Sequence, residues 1–208
     1  MAVSSDNTYV ASPDKASGGL RFRDLGGEAP LPTDPESTPE GFLDGGYISE
    51  DGVTKTVDAS DDNIIAWGGD TVRVVRTEHN LSYQFTFLES SNLNVLRLVY
   101  GDKNVTVDSD TGAITVKESS ALQSRKAFLI ETFDGDKKLR EVIPNGQLAV
   151  SGDITYVHSD VVKYECTITA FPDPDAPEYK AYTYRTGGKP SAVGVSPAGV
   201  PGVVTDGE

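Results

Sequence analysis

Apolar and polar residues alternate with a period of two along much of this chain. Leu81, Tyr83, Phe85 and Phe87 are separated by Ser82, Gln84 and Thr86, which predicts a strand buried on one face only. Val72 and Val74 extend the pattern to Thr71–Glu78, and Glu78-His79-Asn80 reads as a tight reversal, so Thr71–Glu78 and Leu81–Glu89 are expected to pair as a hairpin. Ile64–Trp67 leads into the first of them through a turn at Gly68-Gly69-Asp70. The period changes to that of a helix only over Asn92–Tyr100, where Leu93, Leu96 and Val99/Tyr100 recur. Ser90 or Ser91 can cap it and Gly101 can end it. At about three turns this helix needs a sheet to pack on.

The remainder predicts strands joined by explicit turns. Leu20–Arg23 alternates briefly. Val105–Val107 and Ala113–Val116 flank the turn chemistry of Asp108–Gly112, and Ala127–Phe133 and Leu139–Ile143 flank Asp134–Lys138. Pro144-Asn145-Gly146 is expected to turn the chain again before Gln147–Val150. Val161–Phe171 and Tyr179–Tyr184 complete the set, around a proline-rich acidic loop at Pro172–Pro177. Short strands with one helix predict a mainly β domain, an antiparallel sandwich or barrel-like fold with a flanking helix, over residues 20–186. Residues 1–19 read as a mobile arm, and 187–208, rich in Gly and Pro without period, as a flexible tail. Between Glu28 and Gly41, Pro30, Pro32, Pro35 and Pro39 rule out a regular element and predict an extended loop used for contact or left disordered.

Composition narrows the functions available. With 18 Lys and Arg against 32 Asp and Glu, the 208-residue chain carries a net charge of −14. Duplex DNA binding by phosphate neutralisation needs a basic footprint, which is missing. Cys166, the single cysteine, excludes an intrachain disulfide and a multi-cysteine metal site, and alternation makes it a small core residue. The N-terminus has neither a basic region nor an apolar run, so no signal peptide is expected. No stretch approaches a membrane span.

Candidate chemistry is sparse. Asp108-x-Asp110-x-Gly112 lacks the glycine at the sixth position of a calcium loop, where Ala113 stands, and reads as a hairpin turn. Asp58, Asp61 and Asp62 form an acidic cluster, read as solvated or as a contact between subunits. His79 and His158 have no partner at metal-ligand spacing and read as surface residues. Nucleophile elbows, phosphate loops and zinc-protease motifs are absent. The expectation is a protein that is not an enzyme and takes no cofactor or metal.

One succession of elements carries more information: GYISEDGVT at Gly46–Thr54, the turn Ala66–Asp70, VRTE at Val75–Glu78, and FTFLES at Phe85–Ser90. In order and spacing it resembles the major tail (tail tube) protein of long-tailed bacteriophages, particularly those infecting actinobacteria. The resemblance implies two packed antiparallel sheets with one helix, joined into hexameric rings that stack as the tail tube of a virion assembled in the host cytoplasm. It implies as partners further copies of the chain, a tape measure protein, and tail terminator and baseplate or tip proteins, with DNA passing through unbound. Under it, Ser82, Gln84 and Thr86 are the expected lumen wall, with Arg73 on the neighbouring strand a complication. The prolines Pro30, Pro32, Pro35 and Pro39 and the acidic loop Asp51–Asp62, with Asp51, Asp58, Asp61 and Asp62, are the expected contacts between neighbours or rings. A virion-surface or secreted carbohydrate-binding sandwich is the alternative, with Tyr179, Tyr182 and Tyr184 as an aromatic platform; a head decoration protein is a third.

Overall fold

The computed structural model describes residues 5–186, so the expected tail at 187–208 lies outside the described residues. The strands in chain order are β1 (Ser12–Pro13), β2 (Leu20–Asp24), β3 (Leu43–Asp44), β4 (Thr54–Ile65), β5 (Thr71–Phe87), β6 (Val105–Val107), β7 (Ile114–Val116), β8 (Lys126–Asp134), β9 (Lys137–Val150), β10 (Tyr164–Ala170) and β11 (Tyr182–Arg185). The helix α1 (Leu93–Tyr100) follows β5. Nine strands form one antiparallel sheet in the order β3-β2-β8-β9-β10-β5-β4, with β1 beside β8 and β11 beside β9; β6 and β7 pair separately.

The fold is mainly antiparallel β with a single helix among the described residues, as the alternation predicts. Leu81, Tyr83, Phe85 and Phe87 are all buried. They share one core with Leu20 and Phe22 of β2, Phe128 and Ile130 of β8, Ile143 and Leu148 of β9, and Tyr164, Cys166 and Ile168 of β10. Helix α1 closes this core with Val95, Leu96, Leu98 and Val99. Its N-cap is Asn92, whose side chain accepts the Asn94 N–H at 2.9 Å, so neither Ser90 nor Ser91 serves. The amide of Gly101 returns to Arg97 O at 2.8 Å, and this glycine has φ of 95°.

Three expectations fail, each for a physical reason. The reversal at Glu78–Asn80 does not exist: β5 runs unbroken from Thr71 to Phe87 and pairs with β4, so the hairpin turns at Ala66–Asp70 instead. The acidic stretch expected as a loop is therefore mostly strand from Thr54 onward; aspartates are poor strand formers, but cross-strand pairing overrides a weak local preference. The turn at Pro144–Gly146 is also absent, because β9 passes straight through it. The register against β8 slips there, between Lys126 opposite Gly146 and Phe128 opposite Ile143. A bulge leaves ladder positions unpaired, which is where a proline without an N–H can sit in a strand. The same bulge shifts the inward-facing positions from Ile143 to Gly146 and Leu148. A Cβ on Gly146 would lie 2.8 Å from the Phe128 ring and 2.9 Å from Ile168.

The loop between β2 and β3 has no strand, as four prolines require, yet it is tied to the body. Arg140 donates to the carbonyls of Asp34 and Ser37, both at 2.7 Å, and to Glu131 at 2.6 Å. Glu131 also accepts from Arg21 at 2.6 Å, and Arg21 reaches Asp14 and Asp44. With Ala127, Leu129 and Val142 buried on the sheet face that carries these charges, β8 is covered on both sides. Ser12 and Pro13 of the expected arm pair with Phe133 and Thr132 of β8.

Candidate functional site

Three surfaces of the sheet remain after the core and the β2–β3 loop are accounted for. The first is the outward face of β9, β10, β5 and β4. Register places Ser82 opposite Thr169 and Thr56, Gln84 opposite Thr167 and Thr54, and Thr86 opposite Glu165. Across β10, Thr169 meets Gln147 and Thr167 meets Ala149. Four strands thus present a continuous face of Thr, Ser, Gln and Ala with Glu165 as its charged member among these positions. Sequence reasoning found the Ser82, Gln84 and Thr86 row from its alternation. It missed Thr54 and Thr56, and the joining of β10 to this face, because pairing partners are not local information.

The second surface is an arm. Beyond Leu81 the β4–β5 hairpin leaves the body, and residues Thr71–Asn80 are exposed throughout. At about 3.3 Å per residue it projects roughly 33 Å. Val72 and Val74, expected to face a core, are 68 % and 58 % exposed. Val57, Ile64, Ile65, Trp67 and Val75 are exposed as well, with Trp67 in the turn at the tip. A register shift after Ser60 skips Thr77, whose hydroxyl donates to Ser60 O at 3.1 Å. Beyond it Ile64 and Val75 lie on one face and Ile65 and Val74 on the other. Arg73 stands opposite Ile64 on the arm, away from the Ser82–Thr86 row.

Asp58, Asp61 and Asp62 all lie on β4 in this arm, and among the described residues only Asp61 of the three has an ion pair, to Arg76 at 2.8 Å; that hydrogen bond holds the Asp61 carboxyl below its ordinary value. Asp51 is exposed in the loop before β4. Of the prolines, Pro30 is exposed, Pro35 and Pro39 are half-buried, and Pro32 is buried within its own chain. Pro32 is thus already covered by its own protomer.

The third surface is a pair of free sheet edges. Among the described residues β4 has a neighbour only on its β5 side. The end of β9 from Gln147 to Val150 pairs with β10 alone, since β8 stops opposite Gly146. Long unprotected edges and an arm with apolar residues on both faces are features a free monomer avoids.

A model of the phage tail tube protein family matches residues 5–189. The chain belongs to that family. It is a structural tail tube protein located in the virion tail, and the family is not one of enzymes. Among solved structures, the anti-feeding prophage cap, a tube-terminating cap, aligns over 89 % of this chain and all of that one, at 10 % identity and a TM-score of 0.39. No curated protein matches. A tail tube protein assembles with other tail components, which is the setting in which bare edges and a bare arm make sense.

The aromatic platform of the carbohydrate reading is not flat: the Tyr179 ring is tilted 49° to that of Tyr182. Tyr182 and Tyr184 are half-buried and stacked on each other, centroids 6.4 Å apart, and Tyr182 donates to Asp173 at 2.7 Å. His79 and His158 are exposed, and no group of three metal-ligating side chains occurs among the described residues. Asp108 caps its turn by accepting the Asp110 and Thr111 amides at 2.8 and 2.9 Å, which accounts for the Asp-x-Asp-x-Gly motif without a cation.

Proposed function

We propose that the chain is the major tail tube subunit, closing as a homo-hexamer whose rings stack around a polar lumen. The observation that carries this reading is the four-strand face of small polar residues on β9, β10, β5 and β4, flanked on both sides by free strand edges. Addition of β4 of one copy to the free flank of β9 in the next would continue the sheet from subunit to subunit. Six copies give about 24 strands, which at about 4.8 Å spacing and a tilt near 40° close a backbone circle roughly 45–50 Å across. With about 5 Å of side chain on each wall, a duplex about 20 Å wide passes.

In this arrangement Ser82, Gln84, Thr86, Thr54, Thr56, Thr167 and Thr169 face the channel with Glu165. Hydroxyls and amides without cations offer phosphate no counterion-release binding, and the chain's negative field repels it, so DNA slides during ejection. Before ejection the same wall houses the tape measure protein, and terminator and tip proteins bound the tube, which is assembled in the host cytoplasm. The tube-forming domain spans residues 20–186. The arm, apolar on both faces and roughly 33 Å long, reaches from one ring to the next, with its aspartates and the proline-rich loop at the contact.

Negative-stain microscopy of the purified chain over a concentration series tests the reading. Rings or hollow tubes with a channel wider than a DNA duplex are expected. A compact monomer persisting at the highest concentrations, alone and with tail terminator or tape measure protein added, would contradict it.

A further inference from the structure

Arg23 is a buried cation without an anion. It is only 9 % exposed, and its Nε has no hydrogen-bond partner. Among the described residues its guanidinium makes one hydrogen bond, a long one of 3.5 Å to Glu40 O. The guanidinium lies 4.8 Å over the Phe42 ring on one side and against Gly27 on another. Among the described residues no carboxylate forms an ion pair with it, whereas the neighbouring Arg21 and Arg140 are both paired. Burial accordingly lowers its pKa with nothing to offset the shift. A buried, unpaired guanidinium is costly unless something completes it.

What it faces is a cavity of about 700 Å³ whose lining includes Gly27, Ala29, Pro30 and Gly41. Of the acids around it, Asp24 is engaged by Lys126, and Glu28 and Glu40 are exposed at the rim. Register fixes where this cavity opens. Asp24 maps through Lys126, Gly146 and Ala170 to Leu81, and Leu20 maps through Ile130 to Glu141 and Thr183. β2 therefore runs away from the tip of the arm, and the loop after Asp24 begins level with Leu81, at the base of the arm and an arm's length from its tip.

The tip carries the complementary chemistry. Trp67 is fully exposed, and Asp70, three residues on, is exposed with no ion pair among the described residues. The two are held on one tight turn by Ala66 N–H to Asp70 O at 2.8 Å and Gly69 N–H to Ala66 O at 2.9 Å. We propose that the arm tip of one copy docks in the Arg23 cavity of a second copy, with Trp67 on Ala29 and Pro30 and the Asp70 carboxylate paired to the Arg23 guanidinium. Cavities of this size hold a ligand of many atoms, so an indole and a carboxylate fit together. The contact is head-to-tail, because tip and cavity are different surfaces an arm's length apart, and such contacts propagate along an axis when the rotation between copies does not close a ring. It rests on the ring-stacking reading above and names the two surfaces that would meet.

Two measurements test it. In a chain carrying Gly68→Cys, beside Trp67 and with open space for a side chain, and Ala29→Cys, which leaves Trp67, Asp70 and Arg23 in place, mild oxidation should give a ladder of covalent multimers on a non-reducing gel; buried Cys166 does not contribute. The concentration needed for stacking, followed by light scattering, should rise at least about tenfold for Trp67→Ala, as for loss of an aromatic anchor. Arg23→Met and Asp70→Asn should each raise it, and their combination should raise it no further than either alone. Tubes that form without a ladder, or additive effects of Arg23→Met and Asp70→Asn, overturn the contact and leave the tube reading standing. A chain that never assembles overturns both. Trp67→Ala and Asp70→Asn sit on the exposed tip, so unchanged thermal unfolding in those variants separates a lost contact from a lost fold.

Discussion

Both halves of β5 carry alternating apolar residues, and they have opposite fates. Leu81–Phe87 alternates apolar with polar and buries every second side chain in the core. Thr71–Asn80 also alternates over Val72 and Val74, yet all its residues are exposed. The difference is in what lies opposite: α1, β2 and β8 share a core with the first half, while the side chains of the second are left exposed by the described residues. Alternation signals a strand with one face to be covered, and it is silent on whether the cover belongs to the same molecule.

The comparison can be broken most decisively from the core side. Phe87→Ala should destabilise the folded chain by about 3–5 kcal/mol, whereas Val74→Ser on the arm should change monomer stability by less than about 0.5 kcal/mol, both read from urea unfolding. Equal effects would mean that the arm is packed in the free chain. Breaking the buried ion cluster comes next. Arg140→Ala leaves Glu131 with Arg21 alone and frees the Asp34 and Ser37 carbonyls, and should cost about 3 kcal/mol; increased protease cutting between residues 28 and 41 would locate the damage. Gly146→Ala should cost about 1–3 kcal/mol by overpacking Phe128 and Ile168.

Titration sharpens the contrast with smaller effects. Burial pushes the Cys166 thiol up to about 12, so at neutral pH a thiol reagent should label it only at the rate of core unfolding, unaffected by substitutions on the arm. For Lys126, burial works to lower the pKa, but hydrogen bonds to Asp24 and Asp102 outweigh it and the value ends raised. A raised lysine binds its proton more tightly in the folded chain, so its contribution is complete below the ordinary lysine value and fades as pH rises through the folded one. Stability should therefore fall above about pH 10.5 in the natural chain, and this component of the fall should be missing in Lys126→Met.

How much of the candidate site could be read in advance follows the same division. The row Ser82, Gln84 and Thr86 is legible because its opposite face is plainly apolar, a property of seven consecutive residues. Trp67 and Asp70 are recognisable as a turn for local reasons, since Gly68-Gly69 supplies the required conformations. Arg23 is not legible. Nothing in Leu20–Asp24 distinguishes it from Arg21, and only the placement of Phe42, Gly27 and the β2–β3 loop leaves one arginine paired and the other bare.

By itself the sequence determined the fold class, the helix, the core face of β5 and the absence of a basic or catalytic signature, because periodicity, turn chemistry and charge are short-range properties. Tertiary structure alone decided that β4 and β5 form one long arm, that β9 crosses Pro144 without turning, and that Thr54, Thr56 and β10 join the polar face. Strand pairing links residues far apart in the chain, and the net gain from each ladder depends on partners that no local window contains.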